Sequence, residues 1–334
     1  MGKDESKEQR ATEEIAAGDR CMEEKQYAEA EAHYSRALAN FPDDAHLVHC
    51  RANACFSQGK FREAIEDYDT VLTLDPDHPN ARYNRGVCKA NLGQYEDAVK
   101  DYSQAIRLNP EWANAFAVRG LARFCLERYD EAIRDFSKAL DLQPQMADTL
   151  NARGHAYLVC GEYDLALHDF TKALEISPLW IEPLMSRGTV HLIMGKEEKA
   201  LEDFNRALAL NPNGADLLLA RGSLLEGRKD LQGAEADYRR AMELDPRSAR
   251  GAALLAGLLG RGQGDLAEAL QWADRAVAGD PEDPSAWDAR GWILLRLGRA
   301  GEALPCAQKA VSTDPPNVDF RKHLRLIEAA TLGK

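Results

Sequence analysis

The chain has 334 residues, 29% of them charged, and a formal net charge of −13 at pH 7. A single hydrophobic core usually stops growing near roughly 250–300 residues, so the length favours several domains or an array of repeated units. The acidic balance argues against nucleic acid as a partner, because phosphate groups would be repelled. The most apolar stretch, 251–260, is too short to span a bilayer, so we expect no membrane insertion.

The first ten residues, MGKDESKEQR, are polar and contain no apolar run. We therefore expect a disordered N-terminal tail over 1–10 and no secretory signal peptide. The seven cysteines are odd in number and irregularly spaced, without a CxxC pair. This usage is typical of reduced thiols, so we expect a cytoplasmic protein.

Proline marks a repeat along the rest of the chain. Nine prolines lie 34 residues apart, except for one step of 35 between Pro246 and Pro281. Such a period is the signature of a tandem array. The nine are Pro42, Pro76, Pro110, Pro144, Pro178, Pro212, Pro246, Pro281 and Pro315.

Three further columns keep the same frame. A small residue, usually glycine, is followed twelve positions later by alanine, and four positions further an aromatic residue occupies seven of the nine repeats. Small residues let two helices approach closely, and positions four apart share one helical face, so each repeat is predicted to form two antiparallel helices. The small column reads Gly18, Ala52, Gly86, Gly120, Gly154, Gly188, Gly222, Gly257 and Gly291, and the aromatic column reads Tyr34, Tyr68, Tyr102, Phe136, Phe170, Phe204 and Tyr238.

These columns resemble the tetratricopeptide repeat family, whose pattern is a small residue, an alanine, an aromatic residue, another alanine and a proline. The resemblance implies an all-α protein, a right-handed α-solenoid superhelix of nine helical hairpins whose first helices line a concave groove. The repeats are placed at 11–44, 45–78, 79–112, 113–146, 147–180, 181–214, 215–249, 250–283 and 284–315. Residues 316–334 resemble the family's C-terminal capping helix and tail, with an apolar stripe of Phe320, Leu324 and Ile327.

Two charged rows accompany the columns. In repeats two to seven an arginine precedes the small residue and an aspartate precedes the aromatic residue, whereas repeats one and eight lack both. Only repeat nine breaks this match, with Arg290 and Cys306. Because the two residues are otherwise present or absent together, we predict a salt bridge between the two helices of a hairpin. The alternative interpretation is a ladder of arginines for anionic ligands.

In the family, positions two, five, six and nine of each first helix face the groove. Transferring these positions gives a candidate peptide-binding groove that contains no lysine or arginine in any of the nine repeats. Amides can hydrogen-bond an extended peptide, and carboxylates favour a neutral-to-basic one. The candidate residues are His49, Asn53, Asn80, Tyr83, Asn84, Asn114, Asp148, Asn151, His155, Glu182, Met185 and Asp216. Without cations a desolvated carboxylate would lack a partner, so we expect no carboxylate clamp for chaperone C-termini.

The sequence contains no catalytic, nucleotide-binding or metal-ligand motif. We therefore predict a non-enzymatic scaffold or adaptor, without metal or cofactor, that binds neutral-to-basic extended or helical segments of other proteins. The alternative is a targeting or specificity subunit of an enzyme complex, resembling the repeat domain of protein-modifying sugar transferases through Asn84 alone. A chaperone cofactor is disfavoured by the absent clamp, and self-association is left open.

Overall fold

The computed structural model describes residues 2–262 and 264–332, with side chains from residue 8 onward. All the regular elements in these ranges are α-helices, nineteen in number. The chain divides into two compact units, Met1–Pro178 and Leu179–Lys334.

The first unit contains five helical hairpins. Each first helix packs against the second helix of its own hairpin, and each second helix packs against the first helix of the next hairpin. The helices are α1 (Gly2–Glu23), α2 (Tyr27–Leu38), α3 (Ala45–Ser57), α4 (Phe61–Leu74), α5 (Pro79–Asn91), α6 (Tyr95–Leu108), α7 (Ala113–Cys125), α8 (Tyr129–Leu142), α9 (Ala147–Val159) and α10 (Tyr163–Ile176).

The second unit contains four hairpins and a final helix. The helices are α11 (Ile181–Ile193), α12 (Glu197–Leu210), α13 (Ala215–Gly227), α14 (Leu231–Leu244), α15 (Ala249–Arg261), α16 (Leu266–Gly279), α17 (Pro284–Arg296), α18 (Ala300–Thr313) and α19 (Val318–Leu332). Helix α19 packs against α17 and α18. It buries Phe320 and Ile327 there, which confirms the predicted capping helix.

The aromatic column explains the glycine column. A Cβ atom added to Gly120 would lie 2.6 Å from Cε1 of Phe136, and one added to Gly154 would lie 2.7 Å from Cε1 of Phe170. Both rings are fully buried. In six of the nine hairpins the ring of the second helix lies directly on the glycine of its own first helix, which brings the two backbones together.

Eight of the nine hairpins turn through one described residue with left-handed backbone geometry. Glycine occupies this position in five hairpins, for example Gly59 with φ of 76°. The remaining positive-φ residues among the described ones are Lys25, Glu127 and Lys229. A side chain at such a position is strained, since its Cβ crowds the following carbonyl.

The N-terminal segment differs from the expectation. The first helix begins at Gly2, so residues 2–10, expected to form a disordered tail, are helical. The sequence between Lys3 and Ala17 contains no glycine or proline that would end a helix. Polar composition alone does not distinguish a solvated helix from a coil.

The extra residue of the 35-residue step also lies elsewhere than expected. Helix α15 begins at Ala249, where Ser248 accepts a hydrogen bond from the backbone N–H of Gly251, so the seventh repeat ends at 248 and not at 249. Four residues connect α15 to α16, whereas three connect α13 to α14. The insertion therefore lies in this turn, and the small residue of repeat eight is the buried Ala256 rather than Gly257.

Candidate functional site

The predicted groove residues are divided between the two units. His49 and Asn53 lie on α3, and Asn80, Tyr83 and Asn84 lie on α5. Asn114 lies on α7, and Asp148, Asn151 and His155 lie on α9. The second unit contains Glu182 and Met185 on α11 and Asp216 on α13. We call the side of the first helices that carries positions two, five, six and nine the groove face.

Three of these residues line one cavity in the first unit. Tyr83, Asn114 and Asp148 surround a cavity of about 200 Å³ between α5, α7 and α9. Sequence reasoning did not select the apolar residues that form the rest of its wall. These are Ala117, Val118, Leu121, Phe136, Met146 and Ala152, with Thr149 beside them. The cavity is thus lined mainly by apolar side chains, with the amide of Asn114 and the carboxylate of Asp148 beside them.

Stacked aromatic rings hold one wall of this cavity in place. The ring of Tyr83 stacks on Trp112 with 4.5 Å between centroids and also contacts Tyr102 at 5.9 Å. Burial raises the pKa of Tyr83, so its hydroxyl stays neutral at physiological pH. Trp112 ends the loop before α7, and its position outside any first helix kept it out of the prediction.

Two of the predicted asparagines bind each other and a core tyrosine. The side-chain oxygen of Asn53 accepts hydrogen bonds from the Tyr68 hydroxyl at 2.6 Å and from the Asn84 amide at 3.1 Å. Burial raises the pKa of Tyr68, which keeps that hydroxyl a donor. Asn53 therefore serves the hairpin first, and a peptide would have to compete for its carbonyl oxygen.

His49 is held neutral within the fold. Its imidazole lies against the rings of His78, 4.8 Å away, and Tyr68, 5.8 Å away. Burial, with a smaller effect of His78, lowers the pKa of His49 to about 4. Its Nε2 atom is buried without a hydrogen-bond partner in the described part of the chain. Despite the nearby histidines, no group of three or more His, Cys, Asp or Glu there could hold a metal ion.

Burial divides the remaining candidates. Asn151 is 5% exposed, His155 meets Phe170 edge-on at 5.2 Å, and Met185 packs on the cluster around Phe204. These three side chains contribute mainly to packing. The exposed candidates are Asn80, Asn114, Asp148, Glu182 and Asp216. In the first unit, the groove face therefore offers a ligand the amide of Asn114 and the carboxylate of Asp148 beside an apolar cavity.

The arginine row forms the predicted salt bridges within hairpins. In the fifth hairpin, Arg153 donates from Nε to Asp169 Oδ2 at 2.7 Å and from Nη2 to Oδ1 at 2.9 Å. The other pairs have the same two-bond geometry and are Arg51–Asp67, Arg85–Asp101, Arg119–Asp135, Arg187–Asp203 and Arg221–Asp237. Each arginine charge is matched by a buried carboxylate, so the row is not a ladder for anions.

The same arginines also reach the preceding hairpin, which sequence reasoning missed. The third guanidinium nitrogen, Nη1, donates to Ser103 from Arg119 at 3.0 Å and to Ser137 from Arg153 at 2.9 Å. The acceptors stand sixteen residues earlier, directly after the aromatic column. Short polar residues at that position were a signal available in the sequence: Asp69, Ser103, Ser137, Thr171 and Asn205. Each of Arg85, Arg119, Arg153 and Arg221 thus joins two neighbouring hairpins.

A larger cavity lies on the groove face of the second unit. It measures about 850 Å³ and lies between α15, α17 and α19. The ring of Trp292 stacks on His323 at 4.6 Å, and the Nδ1 atom of His323 lies 2.9 Å from Asp288. Arg250 lines the cavity from position two of α15. The expectation that no groove position carries a cation is therefore wrong for repeat eight, because the misplaced insertion shifted its register by one residue.

The chain belongs to the tetratricopeptide repeat family. Sequence models described as TPR repeat or tetratricopeptide repeat match residues 52–93, 79–111, 120–159, 147–178, 181–213, 215–248, 241–284 and 254–318. A search of curated proteins gave no match. None of the described helices is long and apolar enough to cross a membrane.

Solved structures of other repeat proteins share the fold. A chain of the APC/C hetero-tetramer Cut9–Hcn1 is 19% identical, with a TM-score of 0.61. Our protein aligns over 90% of its own length but spans 59% of that chain. A tetratricopeptide repeat protein from Parabacteroides merdae is 23% identical, with a TM-score of 0.57 over 74% of our chain and 98% of its own. YrrB, described as a TPR protein with an unusual peptide-binding site, is 23% identical, with a TM-score of 0.50 over 59% of our chain and 97% of its own.

Proposed function

We propose that the protein is a non-enzymatic adaptor that binds a segment of a partner protein on its groove face. The observation that carries this proposal is the apolar cavity between α5, α7 and α9. Its volume of about 200 Å³ is below the roughly 300–1,000 Å³ of small-molecule sites. It suits a single apolar side chain of a peptide better than a cofactor.

The rim determines how the rest of such a peptide would bind. Asn114 offers an amide that both donates and accepts, and Asp148 offers a carboxylate at the equivalent position one hairpin later. The groove positions of α3, α5, α7 and α9 carry no lysine or arginine. A segment with an apolar anchor beside a lysine or arginine therefore fits both the cavity and its charge.

A displayed random-peptide library selected against the full chain tests this proposal. We expect enriched peptides with an apolar residue next to Lys or Arg. Leu121 lies in the cavity wall with 47% of its surface exposed. Leu121→Asp would place a charge against the anchor and should weaken the enriched peptides by about tenfold or more, as loss of a buried anchor does at other interfaces.

The matched control is Leu165→Asp on α10. Leu165 is also 47% exposed, but it lies on a second helix and outside the cavity. We expect its affinity to equal that of the wild type, and we expect Asp148→Lys to select against basic peptides. If the selected peptides bind wild type and Leu121→Asp equally well, the groove cavity is not the site and the proposal fails.

A further inference from the structure

Helix α19 has a face that neither packing nor the groove uses. Phe320 and Ile327 point into the hairpin below, and His323 points into the cavity of the second unit. A third face surrounds an open depression of about 590 Å³. Its lining consists of Val318, Arg321, Lys322, Arg325 and Leu326. These positions follow a spacing of three and four residues, so they form one stripe along the helix.

The apolar part of this stripe is exposed to solvent in the described part of the chain. Val318 is 69% exposed and Leu326 is 45% exposed. No other element of the described residues covers Val318 or Leu326, so this side of α19 can accept a further helix.

The charged part of the stripe has one sign. All three ionisable residues around the depression are cations, although the whole chain carries −13. Arg321 donates to the carbonyl of Pro316 at 3.2 Å, while Lys322 and Arg325 form no ion pair in the part of the chain that the structure describes. The two carboxylates of α19, Asp319 and Glu328, border the stripe, since successive residues of a helix are about 100° apart. Asp319 faces away from the stripe and lines the cavity between α15, α17 and α19.

We infer that this face of α19 is the docking site for an acidic amphipathic helix of a partner protein. A helix with leucines and glutamates on one side would cover Val318 and Leu326 and pair with Lys322 and Arg325. A second copy of the chain fits less well. A head-to-tail copy would present α1, which has no exposed large apolar side chain among residues 8–23.

The experiment measures binding of a fluorescent, designed amphipathic helical peptide with glutamates flanking its leucine face. Its control peptide has lysines in place of the glutamates. We expect the acidic peptide to bind the full chain at least about tenfold more tightly than the basic one, and increasingly weakly as salt is raised. Lys322→Glu with Arg325→Glu should abolish this preference.

The matched control is Arg134→Glu with Lys138→Glu on α8. Both residues are exposed, and the double substitution changes the net charge equally. It should leave the preference for the acidic peptide intact. The inference fails if the α8 and α19 variants behave alike, if both peptides bind equally, or if α19 instead mediates a dimer in sedimentation equilibrium. Cosedimentation with phosphatidylserine vesicles that depends on Lys322 and Arg325, without acidic-peptide binding, would also overturn it. Groove peptides that still bind the α19 variant keep this outcome separate from the proposed function.

Discussion

Arg153 and Asp169 are joined by two hydrogen bonds across the fifth hairpin, and the aspartate side chain is only 1% exposed. Arg153 also donates to Ser137 of the preceding hairpin. A charge pair in this position contributes less through its attraction than through the cost of leaving one member alone, because removal of one partner strands a buried charge.

Arg153→Ala should therefore lower the free energy of unfolding by about 3 kcal/mol. The double variant Arg153→Leu with Asp169→Leu should lose less free energy of unfolding than the sum of the two single leucine variants. The expected coupling energy between the two residues is about 1–3 kcal/mol. Urea unfolding of the four proteins measures this. Arg134→Ala, on the exposed side of α8, is the control and should stay within about 0.5 kcal/mol of the wild type. Additive single effects would show that the pair is not coupled.

The surroundings of two glycines predict that the same substitution, glycine to alanine, changes stability in opposite directions. Gly154→Ala places a methyl group 2.7 Å from the ring of Phe170 and should destabilise by about 1–2 kcal/mol through overpacking. In Gly301→Ala the new Cβ meets nothing within 4 Å, and α18 should gain about 0.5 kcal/mol from the higher helix propensity. The second hairpin has Ala52 at the glycine position and Tyr68 at the ring position. The ring of this column can therefore shift slightly to accept a methyl group. Thermal melting of both variants decides, and equal shifts would contradict the close contact.

The strained turn at Lys229 predicts a stabilising substitution. Its φ of 69° is left-handed, and glycine adopts this geometry without a Cβ clash. Lys229→Gly should raise the free energy of unfolding by about 0.5–1 kcal/mol after its greater unfolded-state entropy is counted. Lys229→Ala keeps a Cβ and should change little. Calorimetry of the two variants compares them, and a stabilised alanine variant would show that backbone strain is not the cause.

The buried imidazole of His49 predicts a pH dependence. Its pKa is lowered to about 4 from the ordinary value of 6.5. The unfolded chain therefore takes up this proton first as pH falls, so the stability due to His49 is present above pH 6.5 and is lost between pH 6.5 and 4. At about 1.36 kcal/mol per pKa unit, the loss should amount to about 3 kcal/mol. His49→Gln should flatten the profile over this window. Parallel profiles for the two proteins would contradict the lowered pKa.

The hairpins and their internal salt bridges could be predicted from sequence because each rests on a spacing that recurs. Proline ends each second helix, so its period fixes the number of hairpins. It does not show where an extra residue lies between two prolines, which is why the start of α15 at Ala249 was misplaced. Ser248, which is the N-cap of α15, is the local signal in the sequence that indicates the correct start.

The cavity on the groove face could be predicted only in part. Position numbers place Tyr83, Asn114 and Asp148 on one side of their helices. They do not show that Phe136 and Met146, from a second helix and a loop, complete the wall. Equally, the asparagine pattern could not show that Asn53 is engaged by Tyr68. Such contacts depend on the packing angle between hairpins, which no single repeat encodes.

The hydrogen bonds that these arginines make between hairpins affect whether whole repeats can be duplicated or deleted. The third and fourth hairpins each carry an arginine that donates to the preceding hairpin and a polar acceptor for the following one. Excision of residues 113–146 would bring Arg153 against Ser103 in place of Ser137, with the same hydroxyl as acceptor. Duplication or loss of one whole hairpin therefore leaves a junction at which an arginine still meets a polar acceptor. The eighth hairpin breaks this rule, since Leu255 stands at the arginine position and Arg239 at the acceptor position. Deletion or duplication of a hairpin next to the eighth one would therefore leave a junction without a matching arginine and acceptor.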